Sequence, residues 1–130
     1  MKLISEIKQL IKEANKTSDI NRLIEINMRI SGFLIYVAEK ESDALRNKLA
    51  AYNERKEFEA DFCLRSTEGI TKAEKAAVVA SQKHRIEEME TEVVYNRIRG
   101  FRTQVSEFCQ ALMQKIAALR REEMTSKQQV

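Results

Sequence analysis

The residues most able to do chemistry in this chain are few. His84 is the only histidine and lies in the charged stretch Lys83-His84-Arg85, followed by Glu87, Glu88, Glu90 and Glu92. Carboxylates and an imidazole are the donors that hold metals or move protons, but this acidic run lacks the Glu-x-x-His pairs that build di-iron sites inside helical bundles. His84 therefore reads as an exposed helix residue. Cys63 and Cys109 have neither Cys-x-x-Cys nor Cys/His spacing and read as reduced, helix-embedded small apolar fillers. No phosphate-cradling loop, dinucleotide glycine pattern, nucleophile elbow or zinc spacing occurs. The chain reads as non-catalytic, with no cofactor, no metal and no small-molecule substrate.

A second group of residues could bind a polyanion. Arg97, Arg99 and Arg102, with Arg120 and Arg121 further along, form the densest positive region, and arginines on a helix can contact phosphates. The aromatic neighbours Tyr95 and Phe101 add the idea of base stacking. The plainer reading is a solvated face or a set of interhelical ion pairs. Net charge is +3, and it is unevenly spread: the two ends of the chain are basic and residues 39–96 are acidic.

These residues need a scaffold, and the composition names it. Proline is absent, glycine occurs only at Gly32, Gly69 and Gly100, and a third of the 130 residues are charged. That removes most of the punctuation strands and turns require and favours long helices. A single helical domain over 1–130 is expected.

Leu3, Ile4, Ile7, Leu10, Ile11 and Ala14 share one helix face, predicting a first helix over about 2–15. Ser18 or Asp19 can cap a second helix, about 19–65 and on the order of 70 Å long. The segment Ser66–Ile70 is a turn, after which Thr71-Lys72-Ala73-Glu74 has the capping-box pattern with Thr71 as cap. A third helix over about 71–121 follows. Its seam is read as Val94, Ile98, Phe101, Val105, Phe108 and Leu112, with a phase slip before Ile116 and Leu119. Residues 122–130 have too little apolar content to pack and are expected to fray.

One short turn between two helices makes them antiparallel. Pairing them about that turn sets Ile20 near Ile116, Leu23 near Leu112, Leu34 near Phe101 and Val37 near Ile98. Towards the turn the facing residues shrink to alanines, so the arm is thin there. The expected architecture is all-α: a long antiparallel helical hairpin, coiled-coil-like, with a short N-terminal helix packed at its open end.

Residues 26–38 are apolar almost all round the helix, which calls for cover on more than one side. Met28, Ile35 and Tyr36 form a second apolar face with Gly32 near its centre. Glycine inside a helix costs about 1 kcal/mol relative to alanine, so its presence suggests close backbone approach, by helix 1 or by a second copy of the chain. Met28, Gly32, Ile35 and Tyr36 are thus a candidate helix-crossing or oligomer contact, with a homodimer favoured. Whether the helix is continuous through Ser31-Gly32 is open. The pattern Arg29-Ile30-x-Gly32-Phe33-x-x-x-Val37-x-Glu39 recurs as Arg97-Ile98-x-Gly100-Phe101-x-x-x-Val105-x-Glu107. Helical periodicity supplies several of these matches.

With no membrane-length apolar run and an amphipathic N-terminus, a cytoplasmic location is expected. The stretch from Tyr95-Asn96-Arg97-Ile98-Arg99-Gly100-Phe101-Arg102 to Leu119-Arg120-Arg121-Glu122-Glu123 resembles the basic final helix of small coiled-coil accessory proteins of bacteriophages and prophages. The resemblance covers the C-terminal half and carries over no functional residue. It implies an accessory protein that binds a host or phage protein, or one that assists a DNA-handling complex. The functional expectation is a helical protein-interaction module that self-associates. The alternatives are an accessory DNA-binding role through the basic residues and a structural component of a virion.

Overall fold

The computed structural model describes residues 2–128. It contains four helices and, among the described residues, no strand: α1 (Lys2–Lys16), α2 (Ile20–Arg65), α3 (Ile70–Ala80) and α4 (Gln82–Gln128). The chain forms two compact units, residues 1–39 with 100–130, and residues 40–99. In each, α2 and α4 run antiparallel, and in the first α1 packs on them. The all-α hairpin with its N-terminal helix is therefore present, and α2 is unbroken through Ser31 and Gly32.

The first unit has a three-helix core. Ile7, Leu10 and Ala14 of α1 meet Leu23, Ile26 and Ile30 of α2 and Val105, Cys109, Leu112 and Ile116 of α4. The spacing of Ile7, Leu10 and Ala14 puts them on one face of α1, which is why so short a helix is held: its stability comes from that buried stripe. Asp19 is the cap of α2, its carboxylate accepting the Asn21 amide at 3.1 Å. Two polar links fasten α1. Arg22 donates to both oxygens of Glu13 at 2.6 Å, and Lys115 Nζ donates to the carbonyls of Ala14 and Thr17 at 2.9 and 3.0 Å. The lysine thus neutralises the unpaired carbonyls at the C-terminal end of α1.

The second unit has a slimmer interior. Its buried side chains are Ala44, Ala51, Ala73, Ala77 and Ser81, in keeping with the alanine-rich arm read from the sequence. Where alanine leaves the seam unfilled, charged residues enter it. Arg55 of α2 is held by Glu88 of α4, and also by Glu59 at 3.1 Å. Glu59 in turn accepts from Ser81 Oγ at 2.8 Å and from Arg85 at 2.7 Å.

Several expected details are corrected. Thr71 does not cap: helix α3 begins one residue earlier, with Gly69 as a cap that supplies no side-chain bond, so Thr71 already lies inside the first turn. The third helix is not continuous over 71–121. It bends at Ser81, whose φ of −89° and ψ of 10° depart from helical values. The backbone ladder still passes through, with the Ser81 amide on the Ala77 carbonyl and the Arg85 amide on the Ser81 carbonyl, each at 2.9 Å. Serine suits a bend because its hydroxyl competes for local backbone carbonyls, here that of Val78 at 3.2 Å. The tail does not fray at Glu122, since helix α4 runs to Gln128 with exposed side chains; residues 129–130 lie outside the described residues.

The seam of α4 is also not the one expected. Val94 is half exposed, whereas Tyr95, Ile98, Arg102, Val105, Cys109, Leu112, Ile116 and Leu119 are buried or half-buried. This set keeps alternating three-and-four spacing throughout, so no phase slip is needed; Phe101 and Phe108 flank it. The pairing register shifts accordingly. A pairing of Leu34 with Phe101 would set Ser31 against Gln104 and Lys48 against Glu87. Instead Ser31 hydrogen-bonds with Cys109, and Lys48 lies 5.0 Å from the centre of the Tyr95 ring. The lag is taken up between Arg65 and Ser81, where the chain turns and then bends.

Candidate functional site

The face proposed around Gly32 stands on α2 in the first unit. Met28 and Ile35 are each 69% exposed and Tyr36 48%. A Cβ added to Gly32 would meet nothing within 4 Å. Helix α1 therefore does not cross here, and of the two covers expected for residues 26–38, helix 1 or a second copy of the chain, helix 1 does not supply it on this side. The reason lies in the stripe of α1, which spends its buried residues on the opposite side of α2, against Leu23, Ile26 and Ile30.

The outer side of α4 in the same unit differs in chemistry. Its exposed residues include Gln104, Glu107, Gln110 and Gln114, but also Met113 and Met124. Exposed apolar side chains of the unit thus lie on α2 at Met28, Ile35 and Tyr36, on α4 at Met113 and Met124, and on α1 at Ile4. Gly100, the counterpart of Gly32 in the recurring pattern, is also open, and Val37 and Val105 are both buried. Each occurrence of the pattern turns its valine inward and its glycine outward, as helical period alone requires.

The basic residues fall in both units. Arg97 and Arg99 belong to the second unit, and Arg102, Arg120 and Arg121 to the first. Arg102 is half-buried and Arg120 and Arg121 are exposed. Within the first unit, Arg102 and Arg120 stand roughly 27 Å apart along the helix axis at 1.5 Å per residue. The charge excess nevertheless falls in this unit, which has eleven Lys and Arg against eight Asp and Glu, while the second has twelve of each.

The second unit holds the chemistry that sequence reading missed. Burial of Glu59 disfavours its charge, yet hydrogen bonds from Ser81 and Arg85 and the nearby Arg55 outweigh it and lower its pKa below the usual carboxylate range. The Glu88 carboxylate raises the pKa of Arg55 further. Beside this network, His84 is half-buried and not the exposed residue expected, because its ring packs on Phe58 with centroids 4.8 Å apart. One donor atom each from Glu54, His84 and Glu87 lie within 4.8 Å of one another. His84 and Glu87 were visible as neighbours on α4; Glu54 comes from α2, and only the shifted register brings it across.

The cysteines behave as expected. Cys109 is buried in the core, which raises the pKa of its thiol against a smaller opposing effect of the Ser31 hydrogen bond, and Cys63 is half-buried and free. A groove of about 500 Å³ at the α2–α3 turn is lined by Phe58, Phe62, Arg65 and Thr67 among others, with no convergent set of reactive groups. No helix among the described residues is long and apolar enough to cross a membrane.

What the fold and surface define is a helical hairpin protein with exposed apolar residues on its helix faces, Met28, Ile35 and Tyr36 of α2 among them. Compared with protein-family models, with curated proteins and with solved structures, the chain matches none.

Proposed function

We propose that this chain is a non-catalytic helical interaction protein that self-associates through the α2 face of Met28, Gly32, Ile35 and Tyr36. The observation that carries the reading is the exposure of Met28 and Ile35 beside an open Gly32. Exposed apolar residues scattered singly need no explanation, but three on one face around a glycine make a surface that water disfavours and a second helix fits.

The occupant is a second copy of the chain. In an isologous contact with Gly32 on the twofold axis, antiparallel α2 helices place Met28 of one copy against Tyr36 of the other, and the glycines let the backbones approach. The resulting dimer is an accessory protein of the bacteriophage type, acting in the cytoplasm and recruiting a protein partner. A second reading, DNA binding, draws support from the charge excess of the first unit and would depend steeply on salt.

The mass in solution tests the first reading. Light scattering after size exclusion should give twice 15.1 kDa for the native chain and the monomer mass for Ile35→Glu with unchanged helicity. A native monomer at micromolar concentration would overturn it. In a Cys63→Ser background, Gly32→Cys should form a disulfide-linked dimer under mild oxidation, as the axial position requires.

A further inference from the structure

The geometry points to a binding site for a first-row divalent cation, best suited to zinc, formed by Glu54 of α2 and His84 and Glu87 of α4. It is independent of the self-association face. One oxygen or nitrogen from each residue already lies within 4.8 Å of the other two. Around zinc, donors at about 2.0–2.1 Å sit roughly 3.4 Å from one another in a tetrahedron. The closure needed is at most about 1.4 Å, within reach of rotamer changes in two exposed glutamates.

The site is held by its surroundings. His84 and Glu87 are three residues apart, so they share one face of α4. Glu54 immediately precedes Arg55 and Glu87 immediately precedes Glu88, and the Arg55–Glu88 ion pair fixes the two helices in the register that brings the donors together. Phe58 packs against the imidazole and limits its rotation. Among the described residues, no ion pair takes up Glu54 or Glu87. A dication seated between the three donors would pair with two carboxylates that no ion pair takes up.

The donor set selects the ion. Magnesium and calcium prefer oxygen alone, whereas an imidazole with carboxylates suits zinc and its neighbours. Three protein donors leave one position for water. Binding ties α2 to α4, so the bound ion stabilises the second unit by mass action.

Calorimetric titration of the full chain with zinc chloride at pH 7.5 tests the proposal. The Cys63→Ser background removes the accessible thiol. One zinc per chain should bind and raise the melting temperature, and magnesium chloride should do neither. His84→Ala should abolish binding; Glu54→Gln and Glu87→Gln should each weaken it about tenfold. Circular dichroism of the variants should show native helicity, so that lost binding reports the missing donor and not a lost fold. Absence of one-site binding, or binding kept by His84→Ala, would overturn the proposal.

Discussion

Lys115 Nζ donates to the carbonyl oxygen of Ala14 at 2.9 Å, joining residues 101 positions apart in the chain. The same ammonium also takes the Thr17 carbonyl at 3.0 Å. Two carbonyls at a helix end and one charged donor make a charge-assisted cap, and hydrogen bonds to charged groups contribute about 1.5–3 kcal/mol. Lys115→Met keeps the aliphatic stem and removes the donor. It should lower unfolding free energy by about 2 kcal/mol in urea, and hydrogen exchange should accelerate most at the last turn of α1.

Arg55 is the centre of the polar network in the second unit, with its side chain only 12% exposed and that of Glu88 23%. Removing the arginine alone leaves the half-buried Glu88 carboxylate without its partner, while Glu59 keeps Ser81 and Arg85. Breaking a buried pair in this way costs about 3–5 kcal/mol, whereas replacing both partners by apolar residues can be neutral. Arg55→Leu should therefore destabilise by about 3 kcal/mol, and Arg55→Leu with Glu88→Leu should recover much of that loss. A double-mutant cycle by denaturant unfolding measures the coupling.

Acid should loosen the fold through Glu59 and Glu13. Both have pKa values lowered in the folded protein, Glu13 by the hydrogen bond from Arg22 and Glu59 by Ser81 and Arg85 against the opposing effect of burial. The unfolded chain then takes up protons first as pH falls. The stabilisation is present above the ordinary carboxylate pKa of about 4.3 and is lost as pH drops through the lowered folded values. Melting temperature should hold from pH 7 to 5 and fall below about pH 4.5. Glu59→Gln should flatten that fall, which differential scanning calorimetry across pH would show.

Helix content, the α1 stripe, a cap at Ser18 or Asp19 and the turn near Ser66 were legible because each depends on residues within a few positions of one another. Register was not. It is set by contacts such as Lys48 with Tyr95 and Ser31 with Cys109, and apolar spacing could not distinguish a seam through Phe108 from one through Cys109. The charged part of the seam was hidden for a related reason. Arg55, Glu88 and Ser81 look like surface residues in sequence, and only the pairing of Arg55 with Glu88 and of Ser81 with Glu59 draws them into the seam. The Met28, Gly32, Ile35 and Tyr36 face was legible as apolar, but its exposure depended on where α1 packs, which no local pattern states.

Gly32 and Gly100 offer a matched comparison, since both lie inside helices and a Cβ at either meets nothing within 4 Å of its own chain. Alanine is favoured over glycine in a helix interior by about 1 kcal/mol. Gly100→Ala should stabilise the protein by about that amount at every concentration. Gly32→Ala should do the same only where the chain is monomeric. In the dimer the added methyl stands on the twofold axis and is met by its copy, so the helices must move apart and the dissociation constant should rise about tenfold. Sedimentation equilibrium on both variants, with thermal melts at two concentrations, separates the two effects. Identical behaviour of the variants would show that Gly32 is an ordinary open helix position and would remove the axial contact from the proposal.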